Sequence, residues 1–286
     1  MRKTETYQVP KELEERVRLS DFIGEKFVSI PSRKGMKKAI DKGLVAINGT
    51  TAKTGDWLVG GETVELFEEA SESTPNLNLN IEVLFEDEYL AIVNKPAGIE
   101  VSGNKKWTLE NALQTSLNAS TELGALSKPQ AIHRLDFPTS GALLIGKTAG
   151  MVSTLNKLFE ERQIEKKYHA ICIGNISIDG RVETPIDDKA SVSIYRVLSR
   201  LESDKYGGLN LLELTLETGR RHQLRKHLSS IGNPILGDHN YGIEGRVMTG
   251  NGLYLHASSL KFTHPISEKE IYIQSPLPKK FQKLFP

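Results

Sequence analysis

The densest run of polar chemistry in the chain is Ile132-His133-Arg134-Leu135-Asp136-Phe137-Pro138-Thr139-Ser140-Gly141, and it opens directly onto Ala142-Leu143-Leu144-Ile145. Pro138 forbids a helix interior, and Gly141 permits a sharp change of direction. The four apolar residues after it read as a buried strand. Asp136 is therefore expected in a turn or extended segment feeding that strand, with Leu135 and Phe137 beside it to exclude water. A carboxylate in such a place is costly unless it is paired or hydrogen-bonded. Taken alone, Asp136 has an ordinary explanation as a cap on the turn made by Thr139 and Ser140. A cation with the complementary problem changes the balance.

Thr218-Gly219-Arg220-Arg221-His222-Gln223-Leu224-Arg225-Lys226-His227-Leu228 supplies one. Leu224, Leu228 and Ile231 form an apolar helical stripe, and Gly232 followed by Asn233-Pro234 ends the helix. Arg221 and Arg225 are four apart, which predicts two guanidiniums on one face. Leu224 places Arg225 at the border of the core, where a charge needs a fixed partner, and Asp136 is the candidate. His222 and His227 are five apart, an awkward spacing for one metal, and no His-Glu-x-x-His run exists, so no metal site is expected. Ser140 and His133 lack the Gly-x-Ser-x-Gly elbow of a serine hydrolase.

Around these segments lie short strand patterns. Ile81-Glu82-Val83-Leu84-Phe85 and Tyr89-Leu90-Ala91-Ile92-Val93 flank a turn, and Asn94-Lys95-Pro96-Ala97-Gly98 follows as a loop. Leu212, Leu214 and Leu216 alternate with Glu213, Thr215 and Glu217, the period of a half-buried strand. Tyr168 to Ile173, Ile194 to Leu201 and Leu253 to Phe262 are further strands, separated by short helices. The expected class is α+β, a largely antiparallel sheet with helices packed on it.

The acidic, small and polar stretch Glu68 to Asn76 carries no apolar period and reads as a linker. The expected organisation is a first domain over 1–67, a linker over 68–78 and a second domain over 79–286. In the first, Leu19, Phe22, Ile23 and Phe27 recur at helical spacing. Ser32 can cap a helix carrying Met36, Ala39 and Ile40, with Gly43 closing it. Val45 and Ile47 form a strand, Asn48-Gly49 a tight turn, and Val64 and Leu66 a returning strand. Arg33, Lys34, Lys37 and Lys38 fall within six residues on the solvent side of the second helix. Such a face is either merely solvated or a phosphate-binding stripe.

Composition bounds the rest. The chain has 286 residues, with 37 Lys plus Arg against 36 Asp plus Glu, a formal charge of +1. Global charge is thus silent about a polyanionic partner. A single cysteine, Cys172, excludes an intrachain disulfide and a thiolate zinc cage, so a cytoplasmic setting is expected. No apolar run approaches the roughly 18 residues of a membrane span, and Met1 to Thr6 lacks the apolar core of a signal peptide.

The chain resembles two known families over most of its length. His133-Arg134-Leu135-Asp136 with Thr139-Ser140-Gly141 is similar to the signature of the RluA-type pseudouridine synthases. So are Asn94-Lys95-Pro96-Ala97-Gly98, Lys167-Tyr168-His169-Ala170, Thr218 to Arg225, Gly232 to Asp238 and Leu255-His256-Ala257. They occur in the family's order across residues 81 to 275. Arg18 to Leu66 resembles the small alpha-L RNA-binding module of a ribosomal protein, a common companion of this catalytic domain. Two departures are visible. Phe137-Pro138 stands where the family often has polar residues, and Val101-Ser102 where a histidine often follows the Lys-Pro-Gly loop.

The resemblance implies isomerisation of uridine to pseudouridine within RNA, with no cofactor or metal. Asp136 would be the catalytic carboxylate, as covalent nucleophile or as base. Arg225 would hold it ionised and aimed, and Tyr168 would stack on the uracil. Leu255, or alternatively Leu253, would lie behind the ring. The target must leave its stack, at a cost of roughly a few kcal/mol. Lys95, Arg134, Arg220 and Arg221 would offset part of that cost through phosphate contacts, and Arg33, Lys34, Lys37 and Lys38 would bind RNA elsewhere. Large-subunit ribosomal RNA is the favoured substrate and transfer RNA the next, with the protein a monomer. The competing reading is a non-catalytic RNA-binding or ribosome-assembly factor, which would need none of Asp136, Tyr168 and Arg225. A zinc-dependent deaminase would need more than one cysteine.

Overall fold

The computed structural model describes residues 2–13, 15–22, 26–30, 32–68, 79–176 and 178–286. The expected linker lies almost wholly outside them, as does Ile23.

The N-terminal part comprises β1 (Arg2–Gln8), β2 (Val17–Arg18), α1 (Leu19–Phe22), α2 (Arg33–Asp41), β3 (Val45–Ile47), β4 (Thr50–Thr51), β5 (Trp57–Leu58) and β6 (Thr63–Glu68). β6 thus carries regular structure one residue into the stretch expected as linker. Ser32 caps α2 by accepting from Gly35 N at 3.1 Å. Met36, Ala39 and Ile40 face inward and meet Leu19, Phe27, Val45, Val64 and Leu66 in one small core. Asn48 and Gly49 both have positive φ, 49° and 78°, in the tight turn between β3 and β4. The sheet order is β1-β6-β3-β4, with β2 pairing β5 apart from it.

The rest of the chain builds one large sheet. Its strands are β7 (Glu82–Glu86), β8 (Leu90–Lys95), β9 (Ala125–Ala131), β10 (Ser140–Thr148), β11 (Glu165–Ile173), β12 (Gly180–Val182), β13 (Ser193–Leu201), β14 (Leu209–Leu216), β15 (Leu255–Thr263) and β16 (Glu270–Gln274). The helices are α3 (Leu109–Ser116), α4 (Ala149–Glu160), α5 (Gln223–Ser230) and α6 (Lys279–Gln282). The order is β12-β13-β14-β11-β15-β10-β8-β7, with β9 on β10 and β16 on β15. Every described pairing is antiparallel except β10 with β15. The fold is therefore α+β with a mixed, mainly antiparallel sheet.

The parallel contact organises the centre. β10 is buried along its whole length, as expected of a strand covered on both faces. Gly141, at φ 117°, stands against Ala257, and a Cβ there would lie 2.2 Å from the Ala257 carbonyl oxygen. Only glycine lets these two strands approach so closely. The segment just before Gly141, carrying Asp136, is thereby pinned at the end of the sheet's middle strands. No helix of the described residues is long and apolar enough to cross a membrane.

Candidate active site

A cavity of about 770 Å³ opens at that end, and Arg134, Asp136, Tyr168, Arg220, Arg221, Arg225 and Leu255 all line it. Asp136 enters from the turn before β10. The turn closes with Thr139 N donating to the Asp136 carbonyl at 3.0 Å. The Asp136 carboxylate is not spent capping it: Oδ2 receives Arg225 Nη1 at 3.3 Å, and Oδ1 lies 3.7 Å from His222 Nε2. With 24% of its side chain exposed, the carboxylate faces the cavity.

Arg225 comes from α5 and is nearly enclosed, its side chain 5% exposed. Its principal partner is Asp238, which the sequence analysis assigned no role. Nε donates to Asp238 Oδ2 at 2.7 Å and Nη2 to Oδ1 at 2.8 Å, a bidentate pair. The remaining nitrogen, Nη1, is thus aimed at Asp136. Burial works against the Arg225 charge, but the hydrogen bonds and charge of Asp238, helped by Asp136, more than offset it, and its pKa is raised. Burial likewise opposes the Asp238 charge, yet Arg225 and the backbone N–H groups of Asn240 and Tyr241 hold that carboxyl below its ordinary range. Gly237 positions Asp238. At φ 78° it packs against Gly252, where a Cβ would meet a carbonyl oxygen at 2.1 Å.

Tyr168 lies on β11, opposite Leu214 of β14 and Ala257 of β15. It is buried, and burial first, then the Asp136 charge, raise its phenol well above the usual range. It is a neutral phenol facing the cavity. Both Leu253 and Leu255 belong to the hydrophobic core, but of the two only Leu255 lines the cavity. Arg134, Arg220 and Arg221 are exposed at the cavity.

Three expectations are corrected. Lys95 was expected to meet phosphate, but it is 0% exposed. Its Nζ donates to the carbonyls of Pro96 at 3.0 Å, Asp136 at 3.3 Å, Phe137 at 3.3 Å and Thr139 at 2.8 Å. It ties down the turn that carries Asp136 and cannot reach RNA. Burial lowers its pKa to about 8, with the Asp136 charge opposing. Arg221 does not share a helical face with Arg225, because α5 begins at Gln223. His222 breaks the register, standing at the N-cap with φ 57°. Phe137 does not exclude water from within; it is 55% exposed, while Leu135 is buried. The apolar contact of Asp136 is therefore one-sided.

The histidines separate by use. His227 is buried and fully engaged, Nδ1 with Ser193 Oγ and Nε2 with the Thr184 carbonyl, both at 2.9 Å. His222 faces the cavity and was missed as a site residue. Both departures from the family pattern, Phe137 and Val101, also line the cavity. On the N-terminal part, Arg33, Lys34, Lys37 and Lys38 are all exposed along α2, and Arg33 Nε meets Asp21 at 2.6 Å.

Comparison with known proteins identifies the family. The RNA pseudouridylate synthase family model matches residues 89–230, a span holding Asp136, Tyr168 and Arg225 but ending before Asp238 and Leu255. The chain is 30% identical over 285 residues to ribosomal large subunit pseudouridine synthase D of Xanthomonas campestris, covering 88% of this chain and 83% of that protein. It is 34% identical over 235 residues to the protein of the same name from Zymomonas mobilis, covering 73% of each. Among solved structures, human RNA pseudouridylate synthase domain containing 4 aligns with a TM-score of 0.55 at 26% identity, covering 70% of this chain and 90% of its own.

Proposed function

The chain belongs to the RluA-type RNA pseudouridylate synthase family, and from this we infer that its substrate is large-subunit ribosomal RNA and that Asp136 is its catalytic carboxylate. The enzyme is an RNA pseudouridine synthase. The observation that carries the site reading is the single cavity shared by Asp136, Arg225, Tyr168 and Leu255. The ribosomal substrate is supported by the names of two relatives similar to the chain along most of its length.

The reaction breaks the bond from ribose C1′ to uracil N1 and forms a bond from C1′ to C5. A proton leaves C5, and N1 takes one up. A carboxylate beside C1′ serves either as nucleophile or as base, and in both roles it must be ionised and aimed. Arg225 does this from one side, itself held by Asp238. Because Arg225 is fixed before RNA arrives, little reorganisation accompanies the chemistry. Tyr168, a neutral phenol on a rigid strand, supplies a flat surface for the extruded base, and Leu255 an apolar wall. Arg134, Arg220 and Arg221 at the cavity provide phosphate contacts for the flipped nucleotide. The basic face of α2 supplies affinity away from the chemistry, in an alpha-L-type module.

The test is a map of pseudouridines in cellular RNA with and without the gene. One or more sites in large-subunit ribosomal RNA should vanish on deletion. Sites lost only from transfer RNA would overturn the substrate. No site lost from any RNA would overturn the activity.

A further inference from the structure

Tyr241 stands outside the motifs that carry the family resemblance, yet it touches both groups that face the Asp136 carboxylate. Its hydroxyl lies 2.9 Å from His222 Nδ1, and its ring meets the imidazole edge-on at 5.7 Å. The same ring lies under the Arg225 guanidinium, Cζ 5.1 Å from its centroid. Its own backbone is fixed: the amide donates to Asp238 Oδ1 at 3.2 Å, and the carbonyl accepts from Ser229 Oγ at 2.8 Å. Next to it, Gly242 packs so closely on Asp238 that a Cβ would lie 2.4 Å from its carbonyl oxygen. One short loop, Asp238 to Gly242, thus reaches Arg225 by a bidentate pair and by an aromatic face, and His222 by a hydroxyl.

His222 itself is held in a conformation that non-glycine residues seldom adopt, φ 57°, and it has no side-chain capping bond there. Fixed by the structure around it, this backbone conformation sets where the side chain points. It aims Nε2 at Asp136 Oδ1, 3.7 Å away. An ionised carboxylate only accepts, so a neutral imidazole beside it carries its proton on Nε2. Nδ1 is then an acceptor, and the Tyr241 O–H is the donor that completes it.

We propose that Tyr241 is a positioning residue for the isomerisation: by donating to His222 Nδ1 it fixes the imidazole as the Nε2–H form, which holds the second oxygen of Asp136 while Arg225 holds the first. This rests on the assignment of Asp136 above. The contact of 3.7 Å in the free protein is of the length that catalytic hydrogen bonds often have before substrate binds. Burial favours the neutral imidazole, as do the Arg225 and Arg221 charges, while Asp136 and Asp238 oppose them. A doubly protonated His222 would present Nε2–H without help from Tyr241.

The test combines nitrogen NMR of the imidazole in the full-length protein with tritium release from a large-subunit ribosomal RNA transcript labelled at uracil C5. In the wild type at pH 8, His222 should be neutral with the proton on Nε2. Tyr241→Phe keeps the ring over Arg225 and removes only the hydroxyl. It should show mixed tautomers and a kcat about tenfold lower, the worth of one hydrogen bond, with KM within twofold. The deficit should shrink only once the pH falls below the ordinary imidazole value and His222 becomes protonated, because burial holds its pKa down. In a His222→Gln background, Tyr241→Phe should add less than a twofold loss, because its effect runs through His222. A wild-type proton on Nδ1, an unchanged kcat in Tyr241→Phe, or the same tenfold loss in both backgrounds would overturn the proposal. Full turnover by Asp136→Asn would instead sink the site assignment, and the tautomer measurement on the wild type would still decide whether Tyr241 donates.

Discussion

On α2, Arg33, Lys34, Lys37 and Lys38 stand in water, and the contact of Arg33 with Asp21 is of the exposed kind that contributes about 0–1 kcal/mol. In and behind the cleft, Arg225 and Lys95 have almost no exposure, and the polar hydrogens at their tips are aimed at oxygens of the protein. The two regions use the same charge for different ends because the cost of being unpaired differs. An exposed cation keeps its water in the free protein, so it is available to an anionic partner. A buried one must be satisfied in the free protein, so it fixes geometry before any RNA is present. Lys95 separates the two cases most sharply. In sequence it resembles a phosphate contact; in space it is an internal clamp on the Asp136 turn.

The contrast is broken most severely at Arg225. Arg225→Met leaves both Asp136 and Asp238 without their cation. Activity should be lost, and stability should fall by about 3–5 kcal/mol, the range for breaking a buried pair. Calorimetric or denaturant unfolding measures this, and a loss under 1 kcal/mol would show that the pair is effectively solvated.

Lys95 sharpens the comparison. The carbonyls of Asp136 and Phe137 keep backbone partners, the amides of Thr139 and Gly98. Lys95→Met should therefore cost about 1–3 kcal/mol, for the carbonyls of Pro96 and Thr139 left unmatched, with RNA affinity under saturating stability conditions unchanged. The ammonium ordinarily loses its proton near 10.5 but in the fold near 8. Between those values the unfolded chain binds more protons than the folded one, so wild-type stability should rise as pH climbs through that window. The rise should vanish in Lys95→Met. A drop in RNA affinity without a drop in stability would return Lys95 to the phosphate-binding class.

The exposed stripe should give the smallest effect on the protein itself. Neutralising Arg33, Lys34, Lys37 and Lys38 should leave stability and the rate on saturating RNA near wild type, while affinity falls. Each lost phosphate contact should lower the salt slope of binding by about 0.7–0.9. Arg33 should contribute less than the lysines, because Asp21 already meets it. Affinity and salt slope both unchanged would mark the stripe as solvated surface; a large loss of maximal rate would mean that it helps place the uridine.

Much of this was legible from residue patterns, and the failures share a cause. Local rules reached the Ser32 cap, the Asn48-Gly49 turn, the inward face of α2 and the alternation in β14, because each depends on neighbours in the chain. They also paired Asp136 with Arg225, through two buried charges of opposite sign. They placed the start of α5 too early, because a histidine at positive φ leaves no trace in the way a glycine does. They missed Asp238 because Gly237-Asp238 reads as a turn until Gly252 is seen packed against it. They misread Lys95 because its four carbonyl partners are Pro96 next door and a turn some 40 residues away. What stayed hidden is long-range closure: which buried charge meets which buried oxygen.

The most direct test of the account is Asp136→Asn, assayed for RNA binding and for tritium release from uracil C5 on the same preparation. The substitution keeps shape and removes the charge that Arg225 is built to hold. Binding should remain within about twofold, since the exposed cations are untouched, and tritium release should fall by at least about a thousandfold, the scale of a lost catalytic group. Release near the wild-type rate would contradict the assignment of the chemistry to Asp136.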